Sequence, residues 1–126
     1  MRKFAPIMVT AAALVGVLAT PAIADPVPLN APYAQAAAEV SATGVLLKAK
    51  NVDEVRKTGL GRYCVKVDDS IDLARSLVQV ERINADRRTY QTTPSPTCEN
   101  AASTITVWTY TSAGQFIDGS FTVAVL

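Results

Sequence analysis

The sequence predicts an all-β domain, a small antiparallel sandwich or barrel of about 6–8 strands held by one disulfide. Three observations carry this reading. Apolar residues alternate with polar ones in Tyr63, Val65 and Val67, and again in Phe121, Val123 and Val125, the period of a strand with one face inward. Thr104 to Tyr110 is built almost wholly of β-branched and aromatic residues, which fit a pleated, half-buried surface. The chain holds only two cysteines, Cys64 and Cys98, and no Cys-x-x-Cys, so a single structural bridge is the expected pairing in an exported protein.

Export is read from the first residues. Arg2 and Lys3 form a basic start, Phe4 to Leu18 is apolar and uncharged, and Ala22-Ile23-Ala24 is a small-x-small cleavage pattern. The apolar run is shorter than the roughly 20 residues that a spanning helix needs. Residues 1–24 are therefore expected to be a secretory signal, with no stable membrane insertion after cleavage and a secreted or cell-envelope location.

The leader 25–35 follows, with Pro26, Pro28 and Pro32 spaced among small residues. Proline fixes φ and lacks an amide donor, so this piece reads as extended and mobile. Residues 36–126 make one domain. Ala36 to Thr43 reads as a first strand, although the alanines leave a short helix over Tyr33 to Glu39 as the competing reading. Gly44 turns the chain into a second strand, Val45 to Lys50. Asn51 opens a polar turn into a short strand with Val52 and Val55 inward.

The stretch Gly59 to Val67 is the expected central strand, with Gly59 and Gly61 suited to positive φ or a close approach. Cys64 then falls on the face of Arg62 and Lys66, which places the bridge as a surface staple outside the core. Asp68-Asp69-Ser70 ends that strand, a helical turn covers Ile71 to Arg75, and Leu77 to Ile83 is again extended. Arg88 to Thr92 reads as an edge strand, and Pro94 to Thr97 as the loop that delivers Cys98. Ser103 to Thr111 and Ser120 to Val125 are expected to pair as an antiparallel hairpin with a long loop.

Composition excludes much chemistry. There is no histidine, which removes the Ser-His-Asp and Cys-His arrangements and most zinc and copper sites. No Lys-Ser/Thr phosphate loop or dinucleotide fingerprint is present. Asp53, Glu54, Asp68, Asp69, Asp72 and Asp118 are the acids available for glycoside hydrolysis, but neighbours such as Asp68 and Asp69 point to opposite strand faces. Asp68-x-Ser70-x-Asp72 has alternate oxygens, yet Leu73 stands where a calcium loop needs glycine. No cofactor or metal is expected. With 12 basic and 11 acidic residues and no basic cluster free of acids, nucleic acid is not an expected partner.

Trp108 and Tyr110 share one strand face, opposite Ile105 and Val107. Covered, that face is core; open, it is an aromatic platform for sugar rings or a protein partner. The expected role is a non-enzymatic secreted domain that binds an unidentified protein or glycan, or builds envelope or matrix. The alternatives are a carboxylate-based glycan hydrolase and an extracellular protease inhibitor acting through the Thr92 to Cys98 loop.

Two segments, Thr58-Gly59-x-Gly61-x-Tyr63-Cys64-Val65 and Val107-x-Thr109 through Gly114 and Asp118 to Phe121-x-Val123-x-Val125, carry a resemblance. Over Val40 to Leu126 the chain resembles a β module of actinobacterial exported proteins and phage tail-associated proteins. The resemblance implies a β-rich fold and a terminal or display role, and brings no catalytic residues with it.

Overall fold

The structure, a computed structural model, describes residues 25–126. The segment 1–24, expected to be a secretory signal, lies outside the described residues. Nine strands are present among the described residues: β1 (Val27–Pro28), β2 (Ala36–Val40), β3 (Leu46–Lys50), β4 (Val52–Gly59), β5 (Arg62–Val67), β6 (Val78–Arg82), β7 (Arg88–Thr92), β8 (Thr104–Tyr110) and β9 (Phe121–Val125). They form a five-stranded sheet in the order β1-β3-β2-β9-β6 and a four-stranded sheet in the order β4-β5-β8-β7. The fold is the all-β sandwich expected, and its strand count passes the expected range by the two-residue β1.

The alternating positions fill the space between the sheets. Ala36, Ala38 and Val40 of β2, Tyr63, Val65 and Val67 of β5, Ile105 and Val107 of β8, and Phe121, Val123 and Val125 of β9 form one buried cluster with Leu73. Tyr63 and Phe121 meet edge to face at 5.1 Å, a favoured arrangement for aromatic quadrupoles. β2 is a strand, so the helix over Tyr33 to Glu39 does not form. Its three alanines at 36 to 38 are all buried against neighbouring chain. Alanine is the best helix former, but intrinsic propensities differ by under about 1 kcal/mol per residue, and tertiary packing outweighs them here.

Val52 and Val55 both pack against the core, though three residues apart on one strand. Simple alternation would turn one of them outward. A bulge between Val52 and Glu54, opposite Val67 and Lys66, restores the face. The leader is extended, as its prolines require, but it is tied down. β1 pairs in parallel with β3, Leu29 donates its amide to the Ala49 carbonyl at 3.0 Å, and Lys50 Nζ donates to Ala31 and Ala34 carbonyls, each at 2.7 Å.

The expected hairpin of the last two long strands is a correction. β8 lies in the four-stranded sheet between β5 and β7, whereas β9 pairs with β2 and β6 in the other sheet. Residues 111–120 carry the chain across. Each strand has the inward set that alternation predicts, but which strands pair is decided by contacts distant in sequence. The turn at Ile71 to Arg75 is a short 3-10 helix, Leu73–Arg75, with Leu73 buried beneath it.

Tyr63 is fully buried, and its hydroxyl ties two loops together. It donates to the Ala42 carbonyl at 2.7 Å and accepts from the Gly119 amide at 3.1 Å. Tyr63→Phe should cost about 1–3 kcal/mol, because both partners lose their bond where water is excluded. Burial pushes the phenol above its ordinary 10.0, opposed by the Gly119 amide. A raised value gives full stability below pH 10.0 and a loss as pH rises through the folded value, since the unfolded chain gives up its proton more readily. Urea midpoints measured from pH 8 upward should fall more steeply for the wild type than for Tyr63→Phe.

Candidate binding face

The outer face of the four-stranded sheet is divided in two. One half is covered. Cys64 and Cys98 are joined at an S–S distance of 2.04 Å, and the segment after β7 folds over them. Ser95 starts a 3-10 turn, Pro96–Cys98, and its Oγ accepts from the Thr97 amide. Both cysteines are 2 % exposed or less, which corrects the surface staple: the bridge lies outside the main core, as the face of Cys64 implied, but beneath a cap. Thr104 and Thr106 are buried under the same cap, and Thr106 Oγ1 is the buried polar side-chain atom without a partner among the described residues.

The other half is open, and β8 places its aromatics there. The register sets Arg62, Trp108 and Tyr90 in one cross-strand row. Tyr110 lies two residues on, opposite Arg88 on one side and bridged to Phe116 on the other. Tyr90 stacks on Trp108 with centroids 5.3 Å apart and planes at 22°. The Arg62 guanidinium lies 4.8 Å from the Phe116 ring centre, close enough for a cation–π attraction. Tyr90 is 58 % and Phe116 42 % exposed, and Trp108 and Tyr110 are half-buried. Together with Gly114 these four rings line a cavity of about 380 Å³, at the lower end of the roughly 300–1,000 Å³ of small-ligand sites.

The β8–β9 connection holds Phe116 in place. Gly114 and Gln115 close a turn on Thr111, after which the Ile117 amide donates to the Thr109 carbonyl and Thr109 Oγ1 donates to the Ile117 carbonyl. Asp118 then fastens the loop to β5. Its Oδ1 accepts from the Gly61 amide at 2.8 Å and from Lys57 Nζ at 3.1 Å, while its carbonyl accepts from Arg87 Nε at 2.9 Å. Trp108 and Tyr110 are visible as a pair in the sequence. Tyr90, Phe116, Arg62 and Arg88 are not, because they reach the same patch only through cross-strand register and a loop.

Two of the candidate acids, Asp53 and Asp69, come together, but around a lysine that pairs with both. Asp53 and Asp69 both contact Lys66 Nζ, at 2.9 and 3.2 Å. The Ser103 hydroxyl and then Lys66 hold Asp69 below the usual carboxylate range, and Asp53 and then Asp69 hold the Lys66 ammonium above its own. Asp68 closes its own turn by accepting from the Ser70 amide and hydroxyl, which lowers its value too. Asp118 is at the opposite end of β5, about 15 Å away at the rise of an extended chain. Among the described residues, no three His, Cys, Asp or Glu side chains cluster as metal ligands would.

A larger depression of about 990 Å³ covers the outside of the five-stranded sheet beside the leader. Small side chains such as Ala37 and Ala124 and the Glu39–Lys48 ion pair line it. It has no aromatic ring to grip a ligand, so the smaller aromatic cavity is the stronger candidate. No family model matches the sequence, and neither the curated proteins nor the solved structures yield a match. Fold and face together define a disulfide-stapled β-sandwich with a half-lidded, half-aromatic outer surface. Among the described residues, no helix is long and apolar enough to cross a membrane.

Proposed function

We propose that this chain is a non-enzymatic, exported binding domain that engages a partner at the cell envelope or outside the cell through its aromatic half-face. The open stack of Tyr90 on Trp108 carries the proposal. The same sheet buries its other outer half under a stapled cap, so leaving Tyr90 and Phe116 exposed and Trp108 and Tyr110 half-buried beside it is selective rather than a general shortage of cover. Export is supported by the signal pattern and by a bridge between the only two cysteines. The resemblance to exported and tail-associated β modules agrees with a display role.

Hydrolysis is less well supported. A glycosidase acid needs a raised pKa, and Asp69 moves the other way on an exposed surface. An inhibitory loop must protrude, whereas Ser95 in the Thr92 to Cys98 segment is 4 % exposed and internally bonded.

Trp108 is the single tryptophan, so its fluorescence reports on the face directly. Emission accessible to acrylamide is expected, together with capture of envelope or supernatant material that Tyr90→Ala and Phe116→Ala both lose. Blue-shifted emission resistant to acrylamide, or capture unchanged in both variants, would refute the role of this face.

A further inference from the structure

We propose that the aromatic half-face takes an acidic polysaccharide, a chain of uronate-type sugars whose rings stack on the aromatic side chains while their carboxylates pair with Arg62 and Arg88. This assignment rests on the binding role proposed above and specifies its ligand.

Charge is the first argument. Arg62 and Arg88 occupy the outer positions of the two adjacent rows, opposite Trp108 and Tyr110. Neither has a carboxylate partner among the described residues, which is also true of Lys50, Arg75 and Arg82, but of these five only Arg62 and Arg88 stand opposite the rings of β8. The cavity lining contains no acid. Two arginines without counter-charge, at opposite ends of the adjacent cross-strand rows that carry the rings, suit a ligand that carries anions at its edges.

The form of the strip is the second argument. Four rings and a glycine line it, with no Asp, Glu, Asn or Gln among them. The lining supplies stacking surface, and the charged contacts at its margin come from Arg62 and Arg88, which suits a sugar with an anionic substituent. A pyranose presents a C–H face to an aromatic ring and its carboxylate at the ring margin, which matches rows with rings in the middle and an arginine at one end. An acidic peptide fits less well. Extended peptides draw affinity from main-chain hydrogen bonds, and β8 already pairs on both sides. The middle of the strip therefore offers side chains alone, and unpaired main chain is found only at the outer edge of β7 beside it.

The test uses the purified disulfide-bonded protein with oligogalacturonate and oligomannuronate as probes. Controls are the fully methyl-esterified oligogalacturonate, which keeps the rings and loses the charge, and polyglutamate of matched charge. At least one oligouronate should change Trp108 fluorescence and bind more weakly as salt rises. Esterification, Tyr90→Ala and the double variant Arg62→Ala/Arg88→Ala should each weaken calorimetric binding by about tenfold or more. Polyglutamate should leave Trp108 unperturbed. The proposal is overturned if neither oligouronate binds, if the ester binds equally well, or if polyglutamate matches the oligouronate in affinity and Trp108 response. Should the oligouronates fail while Tyr90-dependent capture persists, the acidic-sugar assignment falls and the binding role stands.

Discussion

Replacing Cys64 and Cys98 together by alanine is expected to lower stability by about 3–4 kcal/mol, the chain-entropy value for a closed loop of this length. The two residues are 34 positions apart, so the bridge removes many open conformations from the unfolded chain. Alanine is the better probe, since a serine pair would bury two hydroxyls in a place that already holds an unpartnered Thr106 hydroxyl. A second contribution acts on the folded side. The bridge fastens the Ser95 to Asn100 cap over Thr104 and Thr106, and without it those positions open to water. A domain of this size is stable by only about 5–15 kcal/mol, so the melting temperature should fall by on the order of 20 °C. Reduction of the wild type should reproduce the shift in urea or heat. A midpoint unmoved by reductant would mean that the cap is held by its own hydrogen bonds and that the bridge adds nothing.

The inward face of nearly every strand is legible in the sequence. Tyr63, Val65 and Val67, Ile105 and Val107, and Phe121, Val123 and Val125 alternate cleanly, and side-chain direction in a strand is a local property. Sheet membership is not local. β8 and β9 are neighbours in sequence with matching patterns, yet they lie in different layers because Gly61, Thr109, Ile117 and Asp118 bind residues 111–120 to the end of β5. The face of Cys64 is likewise readable, but its burial depends on where Ser95 to Asn100 fold. The aromatic site divides in the same way. Trp108 and Tyr110 share a face by alternation alone, whereas Tyr90 and Arg62 join them through register and Phe116 through a loop. A half-face left open beside a lidded one has no sequence signature at all.

The substitution with the largest local effect should be Gly61→Ala, at about 2–6 kcal/mol when backbone strain and forced displacement of packed neighbours are combined. Gly61 has φ +66, and a methyl group there would stand 2.4 Å from the Thr109 carbonyl oxygen, 2.9 Å from the Ile117 amide nitrogen and 3.0 Å from the Ile117 oxygen. All three are backbone atoms, so no side chain can swing aside. They also belong to the bonds that define the junction: the Thr109 amide donates to Gly61, the Ile117 amide donates to Thr109, and the Gly61 amide donates to Asp118. Two other glycines separate the contributions. Gly114 shares a positive φ of +88 but has open space around it, so Gly114→Ala reports strain alone and should cost about 1–3 kcal/mol. Gly59 lacks the positive φ, and its added methyl would meet only Arg62 side-chain atoms at 3.6 Å and beyond, so Gly59→Ala should fall within about 0.5 kcal/mol of wild type. Urea denaturation should therefore order the three as Gly61, Gly114, Gly59. The same junction positions Phe116, so whatever of the Gly61→Ala protein remains folded should also lose the cation–π contact of Arg62 and bind its partner more weakly. If Gly61→Ala proved no worse than Gly114→Ala, the β5 end and the 111–120 loop would not be locked together, and Phe116 would not be held by Asp118 in the way the hydrogen bonds require.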